Sequence, residues 1–321
     1  MGTWGVHDDS TRAAQHRHRG GGLRAAGRVA VFICAAAACL ATGKAFSAPP
    51  AGVEISSLPA GNELPARRAI VRDIAIETVA AGKEGFELTA RLSEDGELIG
   101  RPIGWTLRLA SGEPVFAGEA PDANIVTAPG DYTVDIRYGA VRLSQTMSLA
   151  PGTRLIASFV LDAGGIRILP RVQGHGLPAA TPISYIYSRD GDSAGQLVAK
   201  SSEPGEILRV PAGRYRVESR FATGNTMALA DIEVKPGLMS AVEIDHAAGL
   251  ARLAFVGSPA ADVYWRVSDD RGAIMAPIRG LNADVVLRPG SYSATAEIGG
   301  EILTARFSIA AGELRDIILG N

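Results

Sequence analysis

Five histidines and two cysteines are spread through the 321 residues, and their positions limit the chemistry open to the chain. Cys34 and Cys39 stand in an apolar run near the N-terminus, and His7, His16 and His18 precede it. Beyond that point only His175 (in QGHGLP) and His246 (in DHAAG) remain. Zinc takes four ligands from Cys, His and carboxylates at characteristic spacings, and two isolated histidines do not provide them. Both are read as surface side chains, His246 at a junction between repeats. The acidic turns Asp190-Gly191-Asp192-Ser193 and Asp269-Asp270 carry the hard oxygens calcium prefers, without the loop pattern or the distal glutamate of a calcium loop. Ordinary turn chemistry accounts for them. No Gly-x-Ser-x-Gly elbow, Ser-x-x-Lys pair or phosphate-cradling glycine loop stands out. The many carboxylates are scattered, and nothing places two on facing strands as a hydrolase would need. The expectation is a protein that is not an enzyme, with no catalytic, cofactor-binding or metal-binding residue.

One charged constellation is worth placing. Arg214, Arg216 and Arg220 recur on alternate positions of one strand-like run, with Arg209 just upstream. They form either a patch for an anionic envelope polysaccharide or acidic partner, or an ordinary solvated sheet face with Glu218 interleaved. The whole chain gives no electrostatic case for nucleic acid, at a net charge of -2. From Pro49 onward, 26 Lys+Arg face 32 Asp+Glu. The 46% hydrophobic content is that of a globular protein.

The N-terminus reads as an export signal over residues 1–48. A basic stretch (His16-Arg17-His18-Arg19, Arg24, Arg28) leads into the apolar run Val29 to Gly43. Small residues follow at Ala45-Phe46-Ser47-Ala48, and cleavage after Ser47 or Ala48 fits both. The alternative is an uncleaved anchor, the one route by which the protein would touch a membrane. Cleavage would remove both cysteines. A Pro/Ala/Gly-rich linker occupies 49–68.

The rest of the chain repeats itself. APGDYTVDIRYG (128–139), PAGRYRVESRFATG (211–224) and RPGSYSATAEIGG (288–300) align on Tyr132, Tyr215 and Tyr292. A second turn follows each tyrosine, at Pro151-Gly152, Pro236-Gly237 and Ala311-Gly312. Upstream, Trp105, Tyr185 and Trp265 form a third landmark. These landmarks divide the chain into modules at 69–163, 164–247 and 248–321. Ala69–Val79 looks like the closing strand of a missing earlier module, so a strand of that kind enters the first one.

Strand runs alternate with a period of two, such as Tyr132, Val134 and Ile136 against Thr133, Asp135 and Arg137. One dry and one wet face, with turns at short intervals, specify sandwiches of antiparallel strands. The Pro-Gly pairs predict type II turns with Gly at positive φ. Each tyrosine then points inward, its hydroxyl satisfied by backbone at the corner. Trp105, Tyr185 and Trp265 are expected as large core plugs.

The x-Gly-x-Tyr-x-Val pattern resembles immunoglobulin-like, fibronectin-III-like, transthyretin-like and PEGA-type bacterial β-modules. The run PAGRYRVESRF…DIEVKPG…AAGLARL is similar to tandem β-modules of alphaproteobacterial exported proteins, some of which follow a von Willebrand A domain. The resemblance covers roughly 85–321. It implies an all-β chain of three tandem sandwiches, periplasmic or secreted in a Gram-negative bacterium, and no catalytic residue. The function it implies is binding or scaffolding in the envelope with a protein partner. Binding of an envelope polysaccharide or peptidoglycan is the alternative, and a hydrolase comes third.

Overall fold

Alternating apolar and polar residues, bounded by Gly and Pro, fold the chain into short strands joined by turns. The computed structural model describes residues 65–176, 180–259, 261–273, 275 and 277–320. The signal or anchor at 1–48 and most of the linker at 49–68 lie outside the described residues. Among the described residues no helix is long and apolar enough to cross a membrane.

The first module holds β1 (Arg67–Arg68), β2 (Ile70–Thr78), β3 (Gly85–Arg91), β4 (Ile103–Leu109), β5 (Pro114–Ala120), β6 (Ala123–Val126), β7 (Gly130–Tyr138), β8 (Val141–Leu149) and β9 (Thr153–Val160). They form two sheets, β2-β9-β3-β6 and β1-β8-β7-β4-β5. The second module holds β10 (Ala163–Val172), β11 (Pro182–Ser188), β12 (Leu197–Ser201), β13 (Ile207–Pro211), β14 (Gly213–Phe221), β15 (Met227–Val234) and β16 (Met239–His246). Its sheets are β13-β10-β16 and β12-β11-β14-β15. The third holds β17 (Gly249–Val256), β18 (Val263–Asp269), β19 (Ile278–Arg279), β20 (Asn282–Leu287), β21 (Gly290–Ile298), β22 (Glu301–Ile309) and β23 (Leu314–Gly320). Its sheets are β20-β17-β23 and β19-β18-β21-β22.

The chain is thus all-β, and one strand order recurs three times. Neighbours run antiparallel except that each opening strand pairs parallel with its closing strand: β3 with β9, β10 with β16, β17 with β23. The short β1 also lies parallel, on β8. Parallel first and last strands make the chain enter a module at one end and leave at the other, so copies follow in series. This device explains why Ala69–Val79 is not used as the closing strand it resembles. No opening strand precedes β2 among the described residues, and β2 lies antiparallel on the outer side of β9.

Each corner tyrosine is buried and donates its hydroxyl to the carbonyl four residues back. Tyr132 reaches Ala128 O at 2.6 Å, Tyr215 reaches Pro211 O at 2.6 Å, and Tyr292 reaches Arg288 O at 2.8 Å. The glycine two residues before each tyrosine does not make the expected type II turn. Gly130 and Gly213 open their strands at φ of 156° and 153°, values that residues with a side chain rarely adopt. A Cβ on Gly130, Gly213 or Gly290 would meet the tyrosine ring at 3.7, 3.9 or 3.5 Å, an ordinary contact, so conformation and not the ring calls for glycine at the first two. One turn later Gly152, Gly237 and Gly312 stand at φ of 68°, 73° and 73°.

Trp105 and Trp265 fill the space between sheets as expected, each fully buried. Their indole N–H groups donate to Ala120 O at 3.1 Å and Gly280 O at 2.9 Å. Tyr185 does not share that position. Trp105 pairs with Ile136 and Trp265 with Ala296, each four residues past its corner tyrosine. The residue opposite Ser219, at the same place in the second module, is Ser184. Tyr185 is one residue further on and therefore points to the outer face. Its ring stacks on Tyr187 at 6.4 Å, with Lys200 Nζ 5.5 Å above it. Tyr185→Ala is therefore expected to cost less than about 1 kcal/mol, read as the midpoint of urea unfolding.

The modules are docked, not merely tethered. In both joints the turn after the corner-tyrosine strand, β7 or β14, meets β13 or β20 of the next module. Ala140 N donates to Arg209 O at 2.8 Å, and Asn225 N to Val286 O at 3.2 Å. The second joint adds Val286 N to Thr223 O at 3.1 Å, Thr223 Oγ1 to Asp284 O at 2.8 Å, and Asn225 Nδ2 to the Tyr292 hydroxyl at 3.0 Å. An apolar core lies beneath it, with Val172, Ala180 and Phe221 against Ala248, Leu250 and Val286. Gly224 is required there. Its φ is 142°, and a Cβ would sit 1.9 Å from Val286 O. Gly224→Val is expected to weaken this joint by roughly 1–3 kcal/mol, seen as faster proteolysis near residues 246–249.

Candidate interaction surfaces

The arginine row follows from the period of β14. Arg214, Arg216 and Arg220 fall on the face away from buried Tyr215, Val217 and Ser219. Each has a carboxylate, from β15, from the β11–β12 turn or from β14 itself. Arg216 grips Asp231 with two N–H groups at 2.9 and 3.0 Å. Arg214 holds Asp190 at 2.8 Å, and Arg220 is bridged to Glu218. The Arg214 backbone N–H and guanidinium hold the Asp190 carboxyl below its ordinary range, and hydrogen bonds from Arg216 do the same for Asp231. Arg209 is not part of the row. It sits on β13, in the opposite sheet, its guanidinium 6.0 Å over the Tyr138 ring at the first joint. The row is an ion-paired face, not a cationic patch that gathers four arginines.

Beside it lies a feature the sequence reading placed inside. Tyr185 and Tyr187 project from the outer face of β11, their rings nearly parallel at 20°. Tyr187 stands opposite Arg216 in the pairing of β11 with β14. Burial, then the charge of Glu218, raises the Tyr187 hydroxyl above its ordinary pKa. This aromatic and ionic surface covers the outside of the second module. The alternation of β11 was the signal for it, once aligned on Ser184 instead of Tyr185.

His246 is not a surface side chain. It is fully buried at the end of β16. Nε2 lies 3.0 Å from Ser219 Oγ and Nδ1 3.2 Å from Thr226 Oγ1, and the ring meets Phe221 edge-on at 4.8 Å. Desolvation lowers its pKa to about 4, against a smaller opposing pull from Asp245. His175 is half-buried, its Nε2 2.9 Å from Gly312 O of the third module. His175 therefore spans the second joint, whereas the His246 side chain is held by residues of the second module. Among the acidic turns, Asp269 accepts the backbone N–H of Arg271 and Ala273 at 3.0 and 2.9 Å, and Asp190 is engaged by Arg214.

Two further surfaces are open. An outward depression of about 650 Å³ on the first module is floored by Gly104 and Gly118 and flanked by the Arg108–Asp135 and Arg137–Glu119 ion pairs. Sheet edges are the other. On β9 the closing edge is covered by β2, whereas β16 and β23 are outermost in their sheets. Met239 on β16 and Ile318 on β23 are 52% and 62% exposed.

Solved structures with a likeness include the Bacillus anthracis TIE protein, at 16% identity and a TM-score of 0.23, covering 76% of this chain and 51% of that one. The chain thus spans about half the length of that protein. The Streptococcal ancillary pilin matches at 10% identity and a TM-score of 0.26, covering 77% and 99%. GBS52, the minor pilin of Streptococcus agalactiae, matches at 13% and 0.24, covering 50% and 95%. No curated protein matches the chain. Residues 255–319, nearly the whole third module, match the model of the Rhizobiales growth-associated tandem repeat domain.

Proposed function

We propose that this is a non-enzymatic, exported scaffold or binding protein of a Gram-negative envelope, and that it holds a protein partner by strand addition. The observation that supports this most is β2. It shows that the outer side of a closing strand accepts an antiparallel strand along its full length, from Ile70↔Val160 to Thr78↔Thr153. β16 and β23 present the same edge without such a cover among the described residues. An open edge offers a row of main-chain donors and acceptors to an extended segment. Docked joints then fix the spacing between edges.

The test is photo-crosslinking in the envelope from a reactive residue at Ala241, on the β16 edge, and at Arg137, on the face of the first module. A discrete protein adduct from position 241 and none from 137 is the expected result. Equal labelling at both positions would count against strand addition.

The Tyr185–Tyr187 pair favours a second reading, the binding of an envelope polysaccharide or peptidoglycan. Stacked aromatic faces with Lys200 and Arg216 alongside suit sugar rings bearing acidic groups. On this reading the protein is retained on exopolysaccharide or cell-wall resin, and Tyr187→Ala abolishes retention. No retention of the unaltered protein rejects it.

A further inference from the structure

We propose that separate copies of this chain join head to tail, the β21–β22 turn of one copy docking on the outer edge of β6 of the next. The two internal joints supply the pattern. In each, the turn after the corner-tyrosine strand donates a main-chain N–H to the carbonyl of the residue six before the next corner tyrosine, Arg209 or Val286. The same position in the first module is Val126, six before Tyr132. Val286 is completely buried under the preceding module, while Val126 is 59% exposed. β6 is the outermost strand of its sheet, as β13 and β20 are of theirs. Among the described residues nothing is docked on it.

The other half of the joint stands at the far end. The turn Ile298-Gly299-Gly300-Glu301 has the same length as Tyr138-Gly139-Ala140-Val141, each closed by pairing of its first and last residues. Gly299 and Gly139 have similar φ, 56° and 60°, while Gly300 is at 94° and Ala140 is not at positive φ. Gly300 thus holds the chain position of Ala140 in a turn of a different type, and docking would turn its N–H toward the acceptor edge. A Cβ on Gly300 would meet nothing within 4 Å, and Ile302 beside it is 64% exposed. A donor turn at one end and an acceptor edge at the other make a heterologous contact that does not close on itself, so copies can add in series. Inside the chain the joint is helped by its tether, which acts as an effective concentration of order millimolar. Between copies, association is accordingly expected at roughly 0.1–1 mM, as on a crowded surface.

The experiment uses the full chain carrying Cys34→Ala and Cys39→Ala, so that introduced cysteines are the sole thiols. A Val126→Cys, Glu301→Cys variant treated with a short bismaleimide at such concentrations is expected to give a ladder of covalent dimers, trimers and longer species. An equimolar mixture of the two single variants is expected to stop at dimers. An Ala140→Cys, Arg209→Cys variant, whose link is internal, reports that the fold and the reagent are sound. The proposal is overturned if the internal pair links while the end-to-end variant stays monomeric. It is equally overturned if either single variant links to itself as well as to the other. In sedimentation velocity, Val126→Asp is expected to weaken association of the unlinked chain at least fivefold. An unchanged profile contradicts the proposal.

Discussion

Replacing Trp265 with alanine is expected to destabilise the third module by about 3–5 kcal/mol, the usual cost of emptying a buried aromatic site. The indole is completely buried within a core formed with Val267, Val285 and Ala296. Its N–H also satisfies Gly280 O at 2.9 Å, a carbonyl that alanine would leave without that donor. A module of this size has a total stability of only roughly 4–10 kcal/mol by the usual yield per residue. The loss is therefore most of what holds the module. Because the three cores are distinct clusters, the effect should stay local at first. Urea unfolding followed by circular dichroism should then separate an early transition of the third module from the rest. Trp105→Ala should do the same to the first module. If Tyr185→Ala proved as costly as either, the alignment of Ser184 with the two tryptophans would be wrong.

Acid should destabilise the second module through His246. The sign follows from its surroundings. Burial lowers the folded-state pKa to about 4 from the ordinary 6.5, so the unfolded chain binds a proton more readily than the folded one. The stabilisation is complete above pH 6.5 and is lost progressively as pH falls toward 4. The total is of order 3 kcal/mol, from the difference between those two values. Neutral imidazole offers one donor and one acceptor, and the hydroxyls of Ser219 and Thr226 can take either role. Denaturation midpoints at several values between pH 7.5 and 4 should show the decline. His246→Leu should flatten it, since strand register places Leu161 at the equivalent site of the first module, where it is fully buried. A variant with an undiminished slope would assign the acid sensitivity to other groups.

Much of the fold was legible because its determinants are local. The tyrosine, the small residue two before it and the alternation that follows lie within a dozen residues, and each can be read without knowing what the strand pairs with. Trp105 and Trp265 were legible for the same reason, each 27 residues ahead of its tyrosine. The second module broke that spacing. Ser184 lies 31 residues ahead of Tyr215, and alignment by residue type chose its larger neighbour. Since side chains alternate between faces, that slip of one moved Tyr185 from the core to the surface.

The candidate surfaces were harder to read. The arginine period and the interleaved Glu218, which pairs with Arg220, were visible, but the carboxylates that hold Arg216 and Arg214 come from β15 and from the β11–β12 turn. The joints were hard to read because they combine main-chain hydrogen bonds and a close-approach glycine, Gly224, with side chains such as Thr223, Asn225 and His175 whose partners lie 61 to 137 positions away. The burial of His246 is not legible locally, because the residues that enclose it, Ser219, Thr226 and Phe221, lie 20 to 27 positions away in the chain.

The sequence by itself determined that this protein is a series of β-modules, since polarity alternation and corner tyrosines act over a few residues. Only the tertiary structure decided which face each aromatic takes, which charges cancel and which edges stay open. Those depend on register between strands far apart in the chain, and a one-residue shift there reverses every answer.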